Sequence, residues 1–219
     1  MSDLYFFPMA CSLAARIAAY EAGVELRYRR VDLFGDKQLI DELEPSATQE
    51  KRNLRDLSAM GQVPVLVTDQ GNVLTENAAV LQYIADLNPD AHLAPPPGDT
   101  ARYRLQQWLS FVGTEVHKGF NNPTFMPDTP QPVKVWARER LDLRLSVIDK
   151  HFQAGGPYLL GDAFTVADAY LVWALMLVRV AGVDLVQWSS LAAYLERARQ
   201  RPSVKAAVAL ERKMVAAPM

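Results

Sequence analysis

The chain has 219 residues, of which 50% are hydrophobic and 22% are charged, a composition typical of a globular protein with a sizeable core. Its 23 basic and 25 acidic residues leave a net charge of −2, which argues against a nucleic-acid partner. The single cysteine excludes an intrachain disulfide, and the histidines are too far apart in sequence for a zinc cluster. The apolar run at 169–178 is too short for a membrane span, which needs about 20 residues. We therefore expect a soluble, cytoplasmic protein without a metal site, a membrane partner or a nucleic-acid partner.

The first ninety residues alternate strand and helix signals. A short aromatic run precedes a helical pattern that Gly23 ends, and two further apolar runs are separated by the turn at 69–72. The predicted elements, in chain order, are a strand at 4–7, a helix at 12–22, a strand at 25–33, irregular helices within 36–57, strands at 63–67 and 73–74, and a helix at 76–87. This βαβαββα order predicts a thioredoxin-like domain over residues 1–87.

Residues 88–99 contain four prolines and are predicted to be the linker between two domains. The remainder, 100–219, is predicted to be an all-helical bundle domain. Four more prolines at 121–132 indicate a loop between its first two helices. Thr165 and Asp168 form a capping box that opens a nearly all-apolar, central helix. Further helices are predicted at 191–200 and 202–214. The fold class is therefore α/β followed by all-α.

Cys11 is the first candidate for chemistry, because it follows a strand and a Pro-containing turn and begins a helix. Free backbone N–H groups and the helix dipole lower a thiol pKa at such a position, and the thiolate is the reactive form. The alternative is a small buried apolar side chain. Ala14 stands where a dithiol motif needs its second cysteine. A reactive Cys11 therefore requires an external thiol, and glutathione is the abundant cytosolic one.

Ser12 and the pair Val63-Pro64 are further candidates. The Ser12 hydroxyl is suited to donate a hydrogen bond to a bound thiolate, or to cap the helix it begins. Pro64 opens a predicted strand. A cis bond before it would turn the carbonyl and amide of Val63 outward to pair with an extended peptide ligand, and a plain strand-start proline is the alternative.

Glu76 and Asn77 precede a predicted helix. Either Glu76 complements the helix dipole, or Glu76 takes a ligand ammonium while Asn77 and free N–H groups take its carboxylate. The second arrangement recognises an α-amino acid end, such as the γ-glutamyl part of glutathione. His117 lies beside the core stripe of a helix. It is either a satisfied, partly buried histidine, or a hydrogen-bond donor or base near a bound sulfur.

Five segments in this order resemble the cytosolic glutathione S-transferases, most closely their bacterial beta class. The resemblance covers essentially the full length of the chain. The segments are YFFPMACSL at 5–13, GQVPVL at 61–66, LTENAAVLQYIA at 74–85, QQWLSF at 106–111 continuing to HKGF at 117–120, and YLLGD at 158–162 with TVADAYL at 165–171.

The resemblance implies a homodimer that binds glutathione near its interface. Cys11 is then expected within reach of the glutathione sulfur, in a mixed disulfide, with Ser12 and His117 beside it. Glutathione binding is expected from residues of the first domain and from those approaching out of the second, in part from the partner subunit: Lys37, Gln62, Val63, Pro64, Glu76, Asn77, Thr114 and Lys118.

The function implied is a glutathione transferase that passes the glutathione thiolate sulfur to a small hydrophobic electrophile or exchanges it with a disulfide. The electrophile is expected against the helical domain, near the 121–132 loop and side chains such as Phe125. Two alternatives remain open. One is a non-catalytic binding or regulatory protein on the same fold, and the other is a specialised glutathione-dependent isomerase or lyase.

Overall fold

The computed structural model describes residues 1–35, the backbone of 39–40, and residues 53–216. Its N-terminal part comprises β1 (Asp3–Phe6), α1 (Ser12–Ala22), β2 (Arg27–Val31), β3 (Leu39–Ile40), α2 (Leu54–Leu57), β4 (Val65–Val67), β5 (Val73–Thr75) and α3 (Asn77–Leu87). After a 3₁₀ turn at Pro89–Ala91, the C-terminal part comprises α4 (Thr100–Phe111), a π-helical segment (Val112–Asn121), α5 (Asn122–Phe125), α6 (Gln131–Gln153), α7 (Val166–Val180), α8 (Ser189–Arg199) and α9 (Pro202–Ala216).

The strands form one sheet in the order β3-β2-β1-β4-β5. β1 runs parallel to β2, pairing Tyr5 with Arg29, and antiparallel to β4, pairing Tyr5 with Val65. The pairs β2·β3 and β4·β5 are also antiparallel. α1 packs against α3, and both contact α7 of the helical part. This is the expected architecture of a thioredoxin-like domain joined to a helical domain.

Two predictions about local structure are corrected. The short strand β3 lies within 36–57, where irregular helices were expected, so the element order is βαββαββα. Residues 36–38 and 41–52 lie outside the described residues. The stretch 121–132, predicted as a loop, begins with the end of the π segment and contains α5. Pro123 lies in the first turn of α5, where a missing backbone N–H costs no hydrogen bond.

The predicted boundaries of α1 and α7 have visible causes. α1 ends at Gly23, which adopts a left-handed φ of 63°. α7 begins at the predicted capping box, in which the Asp168 carboxylate accepts hydrogen bonds from the Thr165 amide and hydroxyl, both at 2.9 Å. Asp168 also accepts from the Leu159 amide at 3.0 Å, so one buried carboxylate ties α7 to the preceding chain.

The helical part holds the loop between β1 and α1 through the backbone of Met9. The Met9 amide donates to Glu211 Oε2 of α9 at 2.7 Å, and its carbonyl accepts from Trp173 Nε1 of α7 at 3.1 Å. Glu211 also forms a buried ion pair with Arg16 of α1 at 2.7 Å. Met9 has a φ of 65°, which is unfavourable for a residue other than glycine and is maintained by these contacts.

Candidate active site

Cys11 lies at the end of the loop that Met9 anchors, immediately before α1. Its Sγ donates a hydrogen bond to the Val63 carbonyl at 3.0 Å. The Val63-Pro64 peptide bond is cis, which is one of the two possibilities that the sequence left open. The Val63 carbonyl thus faces the sulfur and accepts the hydrogen bond from the thiol.

The expectation that its position lowers the pKa of Cys11 is wrong for the free protein. Burial raises the pKa of the Cys11 thiol to about 12, because the thiolate loses its hydration. The Lys118 charge and the backbone N–H groups of Cys11 and Ser12 lower this pKa, while the Glu76 charge raises it. The thiol is therefore protonated at neutral pH, in agreement with its role as the donor to Val63.

The Ser12 side chain does not point toward the sulfur. Its hydroxyl donates to the Phe7 carbonyl at 3.2 Å and accepts from the Phe7 amide at 3.3 Å. Nor does it cap α1, because Cys11 occupies the cap position. Ser12 closes the loop internally, and the hydrogen bond it offers to Cys11 comes from its backbone amide.

Glu76 and Asn77 lie at the start of α3 with different environments. Glu76 is exposed, has a φ of 66°, and makes no side-chain capping hydrogen bond within the described part of the chain. Asn77 is buried, and its Nδ2 donates to the Cys11 carbonyl at 3.0 Å. Its Oδ1 has no partner among the described residues. The Asn77 side chain therefore ties the start of α3 to the backbone of Cys11.

The π segment brings His117 and Lys118 to the same place. The wider π turn brings residues five apart into register, so a side chain at 119 would crowd the residue five positions earlier. A Cβ at Gly119 would lie 2.9 Å from the Thr114 carbonyl oxygen, closer than the backbone tolerates. Glycine at this position therefore permits the π geometry from which both side chains project.

His117 is buried and neutral. Its Nδ1 lies 2.6 Å from the hydroxyl of Tyr170 on α7, and its ring packs edge-on against Trp173. Burial, and then the Lys118 charge, lower the pKa of His117 to about 3. Burial also raises the pKa of Tyr170 far above its usual value, so its hydroxyl keeps its proton. The pair is therefore neutral and supplies no positive charge.

Lys118 supplies the positive charge at this site. Its Nζ donates to Gln62 Oε1 at 3.2 Å, which links the π segment to the residue before Val63. This contact crosses the boundary between the helical part and the sheet part, and it lies beside the thiol whose pKa Lys118 lowers.

These groups line one cleft of about 410 Å³, a volume typical of a small-molecule site. The polar residues of the lining are Gln62, Thr75, Glu76, Asn77, His117 and Lys118, and Cys11, Val63, Pro64 and Tyr170 also line the cleft. The rest of the lining is mostly apolar and comprises Leu57, Ser58, Ala59, Met60 and Val73.

Two described residues that the sequence predicted for the site do not line this cleft. Thr114 is exposed, and its hydroxyl donates to the Ser110 carbonyl at 3.0 Å, which satisfies it within its own helix. Phe125 belongs to α5 and does not line the cleft. Lys37 lies outside the described residues.

Two family models match this chain. The glutathione S-transferase N-terminal domain matches residues 8–87, and the glutathione S-transferase C-terminal domain matches residues 134–197. The chain is 36% identical over 208 residues to glutathione S-transferase GstA of Escherichia coli O157:H7, covering 95% of this chain and 98% of that one. The chain belongs to the glutathione S-transferase family.

Solved structures of family members agree with this assignment. A sphingomonad glutathione S-transferase complexed with glutathione superposes with a TM-score of 0.85 at 39% identity, covering 95% of this chain and 98% of that one. A beta-class glutathione S-transferase of Sphingomonas chungbukensis gives 0.85 at 38% identity with the same coverage. The resemblance to bacterial beta-class enzymes seen in the sequence is confirmed.

This glutathione S-transferase uses residues that sequence reasoning did not single out. Tyr170 is the hydrogen-bond partner of His117, while Trp173 and Glu211 hold the Cys11 loop through Met9. The chemistry of these residue types gives one signal for the two aromatic residues and another for Glu211. A tyrosine and a tryptophan in an otherwise aliphatic helix need hydrogen-bond partners for their polar atoms, and a glutamate that becomes buried needs a cation.

No cluster of three His, Cys, Asp or Glu side chains suited to a metal occurs within 1–35 and 53–216. In the same part of the chain, the helices are too short or too polar to cross a lipid bilayer.

Proposed function

We propose that this chain is a glutathione transferase that binds glutathione in the cleft with its sulfur beside Cys11. One observation carries the proposal. The only thiol of the chain opens into a cleft that has a cation, Lys118, on one side of the sulfur and a free carboxylate, Glu76, at the start of α3. Glutathione has a thiol in the middle and an ammonium and a carboxylate at its γ-glutamyl end, so its charged groups are complementary to those of the cleft.

The γ-glutamyl end is proposed to bind at the start of α3. Its ammonium meets the Glu76 carboxylate. Its carboxylate meets the backbone N–H groups of Asn77 and Ala78, which precede the first hydrogen bonds of the helix, from Ala79 and Val80 to the Glu76 carbonyl. One N–H of Asn77 Nδ2 donates to the Cys11 carbonyl, and the proposed role of this side chain as a donor to the ligand carboxylate falls to the other.

The cysteinyl part of glutathione is proposed to pair with the backbone of Val63. Pro64 in the cis form turns that backbone toward the cleft, and Gln62 with Lys118 borders the same position. Residues 1–87 are thereby proposed as the glutathione-binding domain, 88–99 as the linker, and 100–219 as the helical domain that approaches the acceptor. Lys37 stays a predicted contact to the glycyl end of glutathione. Thr114 also stays a predicted glutathione contact, although it does not line the cleft of its own chain.

In conjugation, the glutathione thiol loses its proton and the thiolate attacks an electrophilic carbon. Lys118 is proposed to stabilise the thiolate, because it is the charge that lowers a thiol pKa at this place. The neutral imidazole of His117, oriented by Tyr170, is proposed to donate a hydrogen bond to the thiolate, while the thiol proton leaves to the medium. The hydrophobic electrophile is proposed to approach the sulfur from the helical domain, whose His117 and Tyr170 line the cleft.

In thiol–disulfide exchange, Cys11 is proposed to react as the nucleophile. Its sulfur attacks a disulfide, forms a mixed disulfide and displaces one thiolate, which takes up the proton that Cys11 loses. A first glutathione thiolate releases the second thiol and leaves glutathione on Cys11. A second glutathione then restores the Cys11 thiol and forms glutathione disulfide. Overall, two glutathiones are oxidised and one disulfide is reduced to two thiols.

Substitution of Lys118 tests this function. Lys118→Met should lower kcat/KM for glutathione with 1-chloro-2,4-dinitrobenzene by about tenfold, because the thiolate loses its nearby cation. The control Lys134→Met removes a partly exposed lysine of α6 that does not line the cleft and should have no effect. Cys11→Ala should abolish exchange with a disulfide and retain conjugation. Failure of the unaltered protein to bind glutathione in calorimetry would refute the proposal and favour a non-catalytic relative.

The protein is proposed to act as a cytoplasmic homodimer. Four exposed apolar side chains follow one stripe of α6 at spacings of three, seven and four residues, which is the pattern of a helix that packs against a partner: Val133, Trp136, Leu143 and Val147. Leu143 is 72% exposed. Leu143→Asp should convert the dimer to a monomer in sedimentation experiments, whereas Leu210→Asp on α9 should not. A monomeric unaltered protein would refute the dimer.

A further inference from the structure

Glu211 of α9 is fully buried, although a glutamate is rarely buried without a partner. Its two carboxylate oxygens have separate partners. Oε1 accepts a hydrogen bond from Arg16 Nε, and Oε2 accepts one from the Met9 amide, both at 2.7 Å. One side chain of the helical part therefore contacts both the middle of α1 and the loop that leads to Cys11.

The ion pair between Arg16 and Glu211 is poorly explained by stability alone. The Arg16 side chain is 2% exposed, and its guanidinium carbon lies 3.7 Å from the centre of the Tyr28 ring and 4.5 Å from that of Phe6. Arg16 Nη2 has no hydrogen-bond partner among the described residues. Burying two charges offsets much of their attraction, and well-packed apolar residues often stabilise a fold as well. The second oxygen of Glu211 indicates where its carboxylate is used.

The backbone of Met9 is the point at which this contact acts. A φ of 65° is unfavourable for a residue other than glycine, so the loop keeps it only while its surroundings impose it. Trp173 Nε1 donates to the Met9 carbonyl at 3.1 Å, so helices of the second part hold both polar groups of this residue. Cys11 follows two residues later, with its Sγ 3.0 Å from the Val63 carbonyl. A shift of the loop would therefore carry the sulfur away from Val63.

We propose that Glu211 is a positioning residue for Cys11: by holding the Met9 amide, it keeps the sulfur in its dehydrated place against Val63, and Arg16 orients Glu211 for this task. Glu211 does not line the cleft and acts through the loop. The reactivity of the thiol then depends on the docking of α9 on α1. For its part in disulfide exchange, and only for that, this role rests on the proposed function.

Two double variants isolate the hydrogen bond to the Met9 amide. Both carry Arg16→Met, which removes the buried cation, so that position 211 no longer needs a charge. One adds Glu211→Gln, which retains an oxygen acceptor, and the other adds Glu211→Met, which has a similar size and no comparable acceptor. The readout is the rate at which iodoacetamide alkylates Cys11 as a function of pH, because this reaction needs no glutathione.

The two double variants should differ in rate and in pH profile. With Glu211→Gln, the rate at pH 8 should stay within about threefold of that of the unaltered protein. With Glu211→Met, it should rise by at least about tenfold and level off nearer pH 9, since a hydrated thiol regains its ordinary pKa. Adding Met9→Gly to the latter should restore the slow profile, because glycine adopts a φ of 65° without an imposed contact. Equal profiles of the two double variants would overturn the proposal.

The start of α9 provides a control for loss of stability. There Arg201 forms a bidentate ion pair with Glu21 of α1, at 2.6 and 2.8 Å. Arg201→Met combined with Glu21→Met should also loosen α9 from α1, and it should leave the alkylation profile of Cys11 unchanged. An acceleration equal to that of the Glu211→Met double variant would mean that Cys11 responds to any loosening of α9, which contradicts a specific role of Glu211.

A further variant covers the case in which the Arg16→Met chains do not fold. Trp173→Phe removes the donor to the Met9 carbonyl, keeps an aromatic ring and leaves the Arg16–Glu211 ion pair in place. It should accelerate alkylation of Cys11 in the same direction. An unchanged profile would show that Met9 does not position the sulfur and would refute the proposal.

The outcome can be separated from that of the transferase proposal. A protein that binds no glutathione, but whose two double variants differ as expected in alkylation, would retain the positioning role of Glu211 and lose only the transferase function. Where glutathione binds, the Glu211→Met double variant should lose at least about tenfold in kcat/KM for disulfide exchange relative to the Glu211→Gln one. Equal exchange by the two would refute the role of Glu211 in that reaction.

Discussion

The protonation state of Cys11 can be measured directly, because the chain contains no other thiol. The pKa of Cys11 is raised from 9.0 to about 12, chiefly by burial. Three pKa units correspond to about a thousandfold less thiolate at any pH below 9. The thiolate is the species that reacts with iodoacetamide, so the alkylation rate follows its concentration. In the folded protein without ligand, this rate should rise about tenfold per pH unit from pH 7 to 9.5 without levelling off.

The same chain unfolded in urea is the internal reference. Its alkylation rate should level off above about pH 9, as expected for an ordinary thiol. Steric protection of the folded thiol would lower the rate equally at all pH values, so the slope distinguishes protonation from access. A plateau below pH 9 in the folded protein would refute the argument that burial outweighs the helix terminus.

The charges next to Cys11 predict whether two variants alkylate more slowly or faster than the unaltered protein. Lys118→Met removes the cation that lowers the pKa of Cys11 and should slow alkylation at pH 8. Glu76→Gln removes a charge that raises this pKa and should accelerate alkylation. Cys11→Ser should show no labelling at all. Faster alkylation of Lys118→Met together with slower alkylation of Glu76→Gln would mean that these two charges do not shift the pKa of Cys11.

Three further predictions concern the surroundings of the cleft. Because burial lowers its pKa to about 3, His117 should show no titration of its Cε1–H signal by NMR between pH 5 and 8, and a midpoint in that range would contradict its burial. Asp168→Ala leaves the amides of Leu159 and Thr165 without their acceptor and should lower the free energy of unfolding in urea by about 3 kcal/mol. The control Asp162→Ala, at an exposed residue, should lower it by less than about 0.5 kcal/mol, and equal effects of the two variants would disprove the capping role. Gly119→Ala should cost about 1–2 kcal/mol in the same assay, because the new Cβ would meet a backbone oxygen at 2.9 Å, and an unchanged midpoint would show that the π turn is not required.

The sequence by itself determined the elements whose signals are local. The apolar spacing and Gly23 predict α1 with its observed ends, and Thr165 with Asp168 predicts the start of α7, because capping and turn preferences act within a few residues. The motif around Cys11 likewise identified the family. Neither β3 nor α5 was predicted. A two-residue strand exists only through its pairing with β2, and a four-residue helix that continues a π segment has no periodicity of its own.

Only the tertiary structure decided the properties of the site that depend on distant residues. The pKa of Cys11 is set by burial and by Lys118, which is far away in sequence, and the local helix terminus alone predicted the wrong direction. The orientation of Asn77 follows from its bond to the Cys11 carbonyl, and the position of the loop follows from Glu211. Desolvation and hydrogen-bond partners are properties of the folded surroundings, so no pattern in neighbouring residues determines them.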